Sequence, residues 1–472
     1  MLKTEDIFIS NADISHQYET AARIKARIGE DKGVFVNTFG CQQNEADSER
    51  IYGLAELMGF TPVDSMEKAS LIVFNTCAIR EHAELKALSK AGGIKKLKEK
   101  NRALITAVCG CMAEQAHRRK QLLASYPYID IMFGTDKLWM LPEMVENAIN
   151  KTGERVYVSG KPHDEFGTIA EGLPIVRQST YRAWVSIMYG CNNFCSYCVV
   201  PYVRGRERSR KSADIIAEVE ALVRMGYKDI TLLGQNVNSY KGDMSFPELL
   251  EKCASFDGEY WLRFMTSHPK DASRELVDVM AANKNIAPHF HLPMQSGDNR
   301  VLALMNRRYT VEAYTEKARY IKEKIPNVAI SSDIICGFPT ETEAEFDNTV
   351  KAVENIGFDM LFTFVYSPRP GTPAASMEQV PHEVKTARFA RLSAAENAMA
   401  ETLCARFKDK TVRVLSDGES EDGVYMGRTG QNKIISFTLP DGYDRERAKA
   451  GNFLDVTVTH TQAYTLTGVA NI

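Results

Sequence analysis

Three cysteines, Cys191, Cys195 and Cys198, stand in the run CNNFCSYC at C-x3-C-x2-C spacing, directly after an apolar stretch. A structural zinc site takes four ligands, usually as two C-x2-C pairs. The next cysteine, Cys253, comes 55 residues later and has no neighbour of its own. Three thiolates instead fit a [4Fe–4S] cluster with one iron left open. An open iron can chelate the amino and carboxylate groups of a small molecule. A sparser set is Cys41, Cys77 and Cys111, separated by a few dozen residues each, with Cys109 beside the last. Cys253, Cys336 and Cys404 occur singly within helical or strand patterns and read as core thiols.

The elements around these residues repeat. GVFVNTF (33–39), LIVFNT (71–76), ALITAV (103–108) and IDIMFG (129–134) are short strands. Helix-like stretches lie between them, one from about Glu45 to Met58 and a lysine-rich one after Cys77. Such alternation predicts a parallel α/β sheet. Open α/β sheets carry their sites at the carboxyl ends of the strands. Cys41, Cys77 and Cys111 each lie just past such an end, so the sheet would bring them to one edge.

Residues 151–180, with GKPHD and EGLP, read as a linker. Six strand candidates follow: 183–188, 229–234, 260–265, 288–293, 328–335 and 360–366. Helical stretches separate most of them, as a partial or full (β/α) barrel requires. An Ala- and Glu-rich helix runs from about Pro381 to Lys408. Five closely spaced strands between 411 and 468 then predict a small β-barrel. The expected division is therefore a parallel α/β domain over 1–150, the linker, a barrel domain over 181–405 and the small barrel over 406–472.

The chain has 472 residues, 44% hydrophobic and 25% charged, with a net charge of −3. That balance excludes wholesale disorder, low-complexity sequence and a uniformly basic nucleic-acid binder. No apolar run is long enough for a transmembrane helix. The start, MLKTEDIFISNADISHQYE, lacks the layout of a signal peptide, so a cytoplasmic location without membrane association is expected. Among ten cysteines in such a setting, clustering points to metal or redox sites rather than disulfides.

With Tyr197 just before its last cysteine, the C-x3-C-x2-C motif resembles that of radical S-adenosylmethionine enzymes. In that family the open iron holds the methionine end of the cofactor, whose reductive cleavage yields a 5′-deoxyadenosyl radical. The three-part chain is similar, over nearly its whole length, to the radical S-adenosylmethionine methylthiotransferases. These join an N-terminal α/β domain, a partial-barrel radical domain and a C-terminal TRAM β-barrel. NTFGCQQN, FNTCAIRE and CGCMAE match the family's auxiliary [4Fe–4S] ligands at Cys41, Cys77 and Cys111. Cys-Gly-Cys alone could place either thiol on iron; the family pattern Gly-Cys-Met-Ala selects Cys111.

Finer motifs resemble the branch acting on isopentenylated adenosine of tRNA: 189–210, LLGQNVNSY (232–240), HLPMQSG (291–297), GFPTETEAEF (337–346) and YSPRPGTPAA (366–375). The resemblance implies two [4Fe–4S] clusters, two S-adenosylmethionines per turnover and methylthiolation of adenine carbon 2 at tRNA position 37. One cluster would generate the radical and the other would hold the sulfur. A tRNA anticodon stem-loop and an electron-donor protein are the implied partners. The alternatives are threonylcarbamoyl-adenosine or a ribosomal-protein side chain as substrate. Cys336 stands where valine is commoner, and Thr340 where glycine is usual.

Tyr197, Gly234, Gln235, Gln295, Ser296 and Asp333 are the candidate cofactor contacts, resting on that resemblance. His289 and His291 alternate on one strand face and, without a third partner, read as lining rather than metal ligands. RNA contact must come from local charge. Residues 86–120 hold ten Lys or Arg against two Glu, although a solvated helix face would look the same. Arg204, Arg206, Arg208 and Arg210 follow the cysteine loop. Arg428, Lys433 and Phe437 of the small barrel complete the candidates, since such barrels grip nucleic acid with basic and aromatic side chains.

Overall fold

The computed structural model describes residues 7–29, 31–78, 81–158 and 167–471. The GKPHD stretch and the first six residues lie outside them. The chain folds as two units: residues 1–178 with 188–192 and 198–210, and the remainder. No helix among the described residues is long and apolar enough to cross a membrane.

In the first unit, α1 (Asn11–Ile28) precedes β1 (Lys32–Phe39), α2 (Gln42–Leu57), β2 (Phe60–Pro62), β3 (Ala69–Thr76) and α3 (Glu81–Lys100). Then come β4 (Ile105–Gly110), α4 (Cys111–Glu114), α5 (Ala116–Ser125), β5 (Ile131–Phe133), α6 (Leu141–Asn150) and β6 (Val156–Tyr157). The six strands form one sheet in the order β2-β1-β3-β4-β5-β6, and every pair is parallel. Its strands are apolar on both faces, as two-sided burial demands. Leu71 and Val73 pack with Ile24, Ile51 and Met144, while Ile72 and Phe74 pack with Leu88, Ile94 and Leu122. Part of the expected linker joins this unit. Val156–Tyr157 extends the sheet, and the Val176 N–H donates to the Glu49 carbonyl at 3.0 Å.

The second unit opens with β7 (Arg182–Ser186). The chain then gives β8 (Met188–Tyr189), α7 (Val200–Val203) and β9 (Arg208–Ser209) to the first unit. It continues through α8 (Ser212–Arg224), β10 (Asp229–Leu233), α9 (Phe246–Ala254), β11 (Trp261–Phe264), α10 (Arg274–Ala282), β12 (His289–His291), α11 (Asn299–Leu304) and α12 (Val311–Lys324). β13 (Ala329–Cys336), α13 (Glu343–Ile356), β14 (Met360–Val365) and α14 (His382–Ala405) follow. The strands make two parallel three-stranded sheets, β11-β10-β7 and β12-β13-β14. A parallel bridge between Leu262 and Ile286 links β11 to the segment before β12. The result is an open arc of six strands in chain order, a partial barrel.

The last strands, β15 (Thr411–Glu419), β16 (Tyr425–Thr429), β17 (Ile434–Thr438), β18 (Phe453–Thr461) and β19 (Thr465–Ala470), close into a barrel in the order β15-β16-β17-β19-β18. Its core of Val414, Ile435, Phe437, Val456 and Leu466 continues into Cys404 and Phe407 at the end of α14. Arg263 ties it to the partial barrel. Its Nε donates to Asp229 at 2.9 Å, and its two Nη atoms donate to the carbonyls of Gly430 and Thr429.

Candidate active site

Strand register explains the first cysteine set. β1, β3 and β4 are neighbours, and Phe39 pairs with Thr76, which pairs with Gly110, so the three strands end level. Cys41 caps α2, Cys77 follows β3 and Cys111 begins α4. The turn into Cys111 needs glycine. Gly110 has φ 90°, and a Cβ there would meet the Thr76 carbonyl at 2.3 Å. Asn44 and Asn75 lace the strand ends together: Asn44 Nδ2 donates to Asn75 Oδ1, and Asn75 Nδ2 to the Asn44 carbonyl, both at 2.8 Å.

The charge on this set is balanced from inside. Arg204 Nε donates to Cys111 Sγ at 3.3 Å, and its Nη2 meets Asp47 Oδ2 at 3.0 Å. Burial works against the guanidinium charge, but Cys111, Asp47 and Cys41 outweigh it and hold its pKa well above the usual value. A hydrogen bond with Cys77 pushes the Cys41 thiol down to about 6, and Arg204 helps against burial. Burial raises Cys111, with Arg204 opposing. Cys109 differs: it shares the strand face of Ile105 and Ala107 in the apolar core, and burial pushes its thiol far up.

Among the described residues no three His, Cys, Asp or Glu side chains are placed to hold one metal ion.

The second set lies within the single loop 191–198. Gly190, at φ 73°, lets the loop start against the Arg206 carbonyl, which a Cβ would meet at 2.0 Å. The Cys191 N–H donates to the Gly205 carbonyl at 3.1 Å. Around Cys195 the loop is held by the segment after α11. Asn306 Nδ2 donates to the carbonyls of Asn193 and Phe194 at 3.0 Å each, fixing Phe194 at φ 47°. Arg307 Nη1 donates to Cys195 Sγ at 3.4 Å. Asn44, Asp47, Asn75, Asn306 and Arg307 were not singled out from sequence. The signal for the last two is the polar run Asn-Arg-Arg-Tyr at 306–309.

Tyr197 packs against Val301, Phe338 and Tyr366. Gly234 and Gln235 follow β10 at its carboxyl end. Gln295, at φ 72°, pairs alongside β13: its N–H donates to the Asp333 carbonyl, and it accepts from the Ile335 N–H. The side chain of Ser296 turns to Thr349 of α13 at 3.3 Å, in the helix layer. Asp333 is half-buried, 3.7 Å from His291 Nε2. Ser331 Oγ sits between His289 Nε2 and His291 Nδ1, at 2.9 Å from each.

Most of the RNA candidates are engaged within the protein. Arg204 is committed to Cys111 and Asp47. Arg208 is buried, gives its N–H groups to the carbonyls of Thr168, Arg204 and Arg206, and is pushed down to about 10 by burial. Arg210 makes a two-pronged pair with Glu171 at 2.6 and 2.9 Å. Lys433 is buried and donates to the Asp359 carbonyl at 2.6 Å; Phe437 is core. Arg206 and Arg428 remain half-buried. Lys86, Lys90, Lys95, Lys96 and Lys100 along α3 are exposed. Cys253 and Cys336 are buried thiols, each pushed up to about 12 first by burial.

Residues 185–353 match the radical SAM superfamily, and residues 33–134 match uncharacterized protein family UPF0004. The fold is similar to that of a radical S-adenosylmethionine methyltransferase from Kitasatospora setae. The TM-score is 0.55 at 14% identity, covering 73% of this chain and 75% of that one. Partial barrel, cysteine loop and family match together define a radical S-adenosylmethionine enzyme that uses iron–sulfur chemistry. A tRNA-2-methylthio-N(6)-dimethylallyladenosine synthase of Acetivibrio thermocellus is 42% identical over 98% of both chains. That of Thermodesulfovibrio yellowstonii is 44% identical over 93% of this chain and 98% of its own. The chain belongs to the tRNA-2-methylthio-N(6)-dimethylallyladenosine synthase family.

Proposed function

We propose that the protein methylthiolates carbon 2 of isopentenylated adenosine at position 37 of tRNA, producing 2-methylthio-isopentenyladenosine. The observation that carries this reading is likeness to the named synthases along nearly the whole chain. Cys191, Cys195 and Cys198 would hold one [4Fe–4S] cluster and Cys41, Cys77 and Cys111 a second. The clusters and two S-adenosylmethionines supply the radical, the sulfur and the methyl group. Carbon 2 of adenine is unactivated, which is why a radical route is needed.

The protein's own part is placement and charge. Arg204 and Arg307 each set a buried N–H against a cluster sulfur, and Asn306 holds the radical loop. Tyr197, Gly234, Gln235, Gln295 and Asp333 are the proposed cofactor contacts. The lysines of α3, with Arg206 and Arg428, are the proposed contacts to an anticodon stem-loop. The reading also takes in an electron-donor protein, a cytoplasmic location and domain limits at residues 150, 180 and 405. Nucleosides of tRNA from cells with and without the gene test it. The methylthio nucleoside should vanish without the gene; its persistence, or loss of a modified ribosomal protein instead, would overturn the reading.

A further inference from the structure

The inward face of β12 and β13 carries a column of polar side chains that neither cysteine set uses. Ser332 of β13 turns to the helix layer, where its hydroxyl donates to the Leu292 carbonyl that the Tyr314 hydroxyl of α12 also reaches. Side chains alternate along a strand, so Ser331 and Asp333 share the opposite face. Register sets His291 beside Ser331, and Phe362 of β14 beside Asp333. His289 lies two residues before His291, on the same face of β12.

The column is continuous and opens at one end. Ser331 Oγ joins His289 Nε2 to His291 Nδ1 at 2.9 Å each, and His291 Nε2 faces Asp333 Oδ2 at 3.7 Å. His289, Ser331 and His291 are 9, 2 and 8% exposed. The Asp333 side chain is 26% exposed and Phe362 beside it 42%. Asp333 therefore keeps an oxygen for a ligand while the groups behind it are sealed. The Phe362 ring meets the edge of His291 at 6.1 Å and 72°, which fixes the imidazole plane. At the closed end, burial first, then the charges of Arg263, His291 and Lys433, push His289 well below its usual value, and that ring stays neutral.

The protons can then be placed. A serine hydroxyl holds one proton and donates to one ring, so the other ring must donate to it. The carboxylate oxygen facing His291 Nε2 calls for a proton on that nitrogen. In the neutral ring Nδ1 is then the acceptor. Ser331 donates to His291, and His289 Nε2 donates to Ser331. Every hydrogen bond of the column points the same way, toward Asp333.

We propose that His289, Ser331 and His291 are positioning residues, a one-way column that sets an N–H against one oxygen of Asp333 and so aims its carboxylate at the bound cofactor. The inference rests on the proposed function, in which Asp333 contacts S-adenosylmethionine.

The test titrates cluster-loaded protein with S-adenosylhomocysteine, with affinity expressed per loaded protein. Ser331→Ala interrupts the column and should weaken the probe about three- to tenfold, the worth of one hydrogen bond. Asp333→Asn should weaken it about tenfold or more. In the Asp333→Asn background Ser331→Ala should cost nothing further, because the column acts only through that carboxylate. His291→Gln, whose amide still sets an N–H toward Asp333, should bind closer to the wild type than His291→Leu, and that difference should also vanish with Asp333→Asn. This second pair carries the comparison where Ser331→Ala does not fold. Equal losses in both backgrounds, or none in the wild-type background, would overturn the column, and so would wild-type affinity in Asp333→Asn. A wild type unable to bind the probe would remove the cofactor contact and the column with it. Coupling between Ser331 and Asp333 in a protein that binds the probe yet forms no methylthio product would count against the proposed function and leave the column standing.

Discussion

Each cysteine set has one buried arginine whose N–H meets a sulfur: Arg204 on Cys111 and Arg307 on Cys195. Arg204 also balances Asp47, and both partners are nine-tenths buried. Removing one partner of such a pair strands the other charge, at about 3–5 kcal/mol. Arg204→Gln should therefore lower the melting temperature and shift the electron paramagnetic resonance signal of the Cys41/Cys77/Cys111 cluster. Arg204→Lys keeps the charge but loses the fork and should recover only part. An unshifted signal in both variants would leave Arg204 a packing residue. The Cys-Gly-Cys pair makes a second prediction. Cys111→Ala should lose the iron of one cluster while retaining cofactor cleavage, whereas Cys109→Ala should retain all the iron. Iron analysis reads both, and the reverse pattern would exchange their roles.

Between strand ends and helix starts, conformation decides what an element tolerates. Thr340 lies at φ 63° with its N–H on the Glu378 carbonyl. A non-glycine residue there costs about 1–2 kcal/mol, while glycine costs roughly 0.5–1 kcal/mol in chain entropy. Thr340→Gly should thus be stabilising by up to about 1 kcal/mol, measured by thermal or denaturant unfolding; destabilisation would mean that its hydroxyl contact with Arg300 matters more. The strands themselves were legible because β-branched and apolar runs such as LIVFNT have few other uses. The level ends of β1, β3 and β4 were inferable once the sheet was parallel. The arginines were not. Arg204, Arg208 and Arg210 look like surface charge in one dimension, because Asp47 and Glu171, which absorb two of them, are far away in sequence. The acceptor of Lys433, a carbonyl of Asp359, is likewise far away in sequence.

For the molecule as a whole, the net charge of −3 leaves RNA binding to local surface. The five exposed lysines of α3 offer such a surface. Each phosphate deprived of its lysine should reduce the slope of log affinity against log salt by about 0.7–0.9. Changing Lys90, Lys95 and Lys96 to Glu should weaken tRNA binding and flatten that slope, with both clusters retained. An unchanged slope over a salt series would make α3 a solvated face. The proposed reaction is a methylthiolation carried out with two cysteine sets. Its most direct test is mass analysis of an anticodon stem-loop bearing isopentenyladenosine after incubation with reconstituted protein, reductant and S-adenosylmethionine. With the wild type, a methylthio group should replace the hydrogen on carbon 2. Cys111→Ala should cleave the cofactor without forming that product. Product formation by Cys111→Ala, or cofactor cleavage without methylthiolation by the fully loaded wild type, would contradict it.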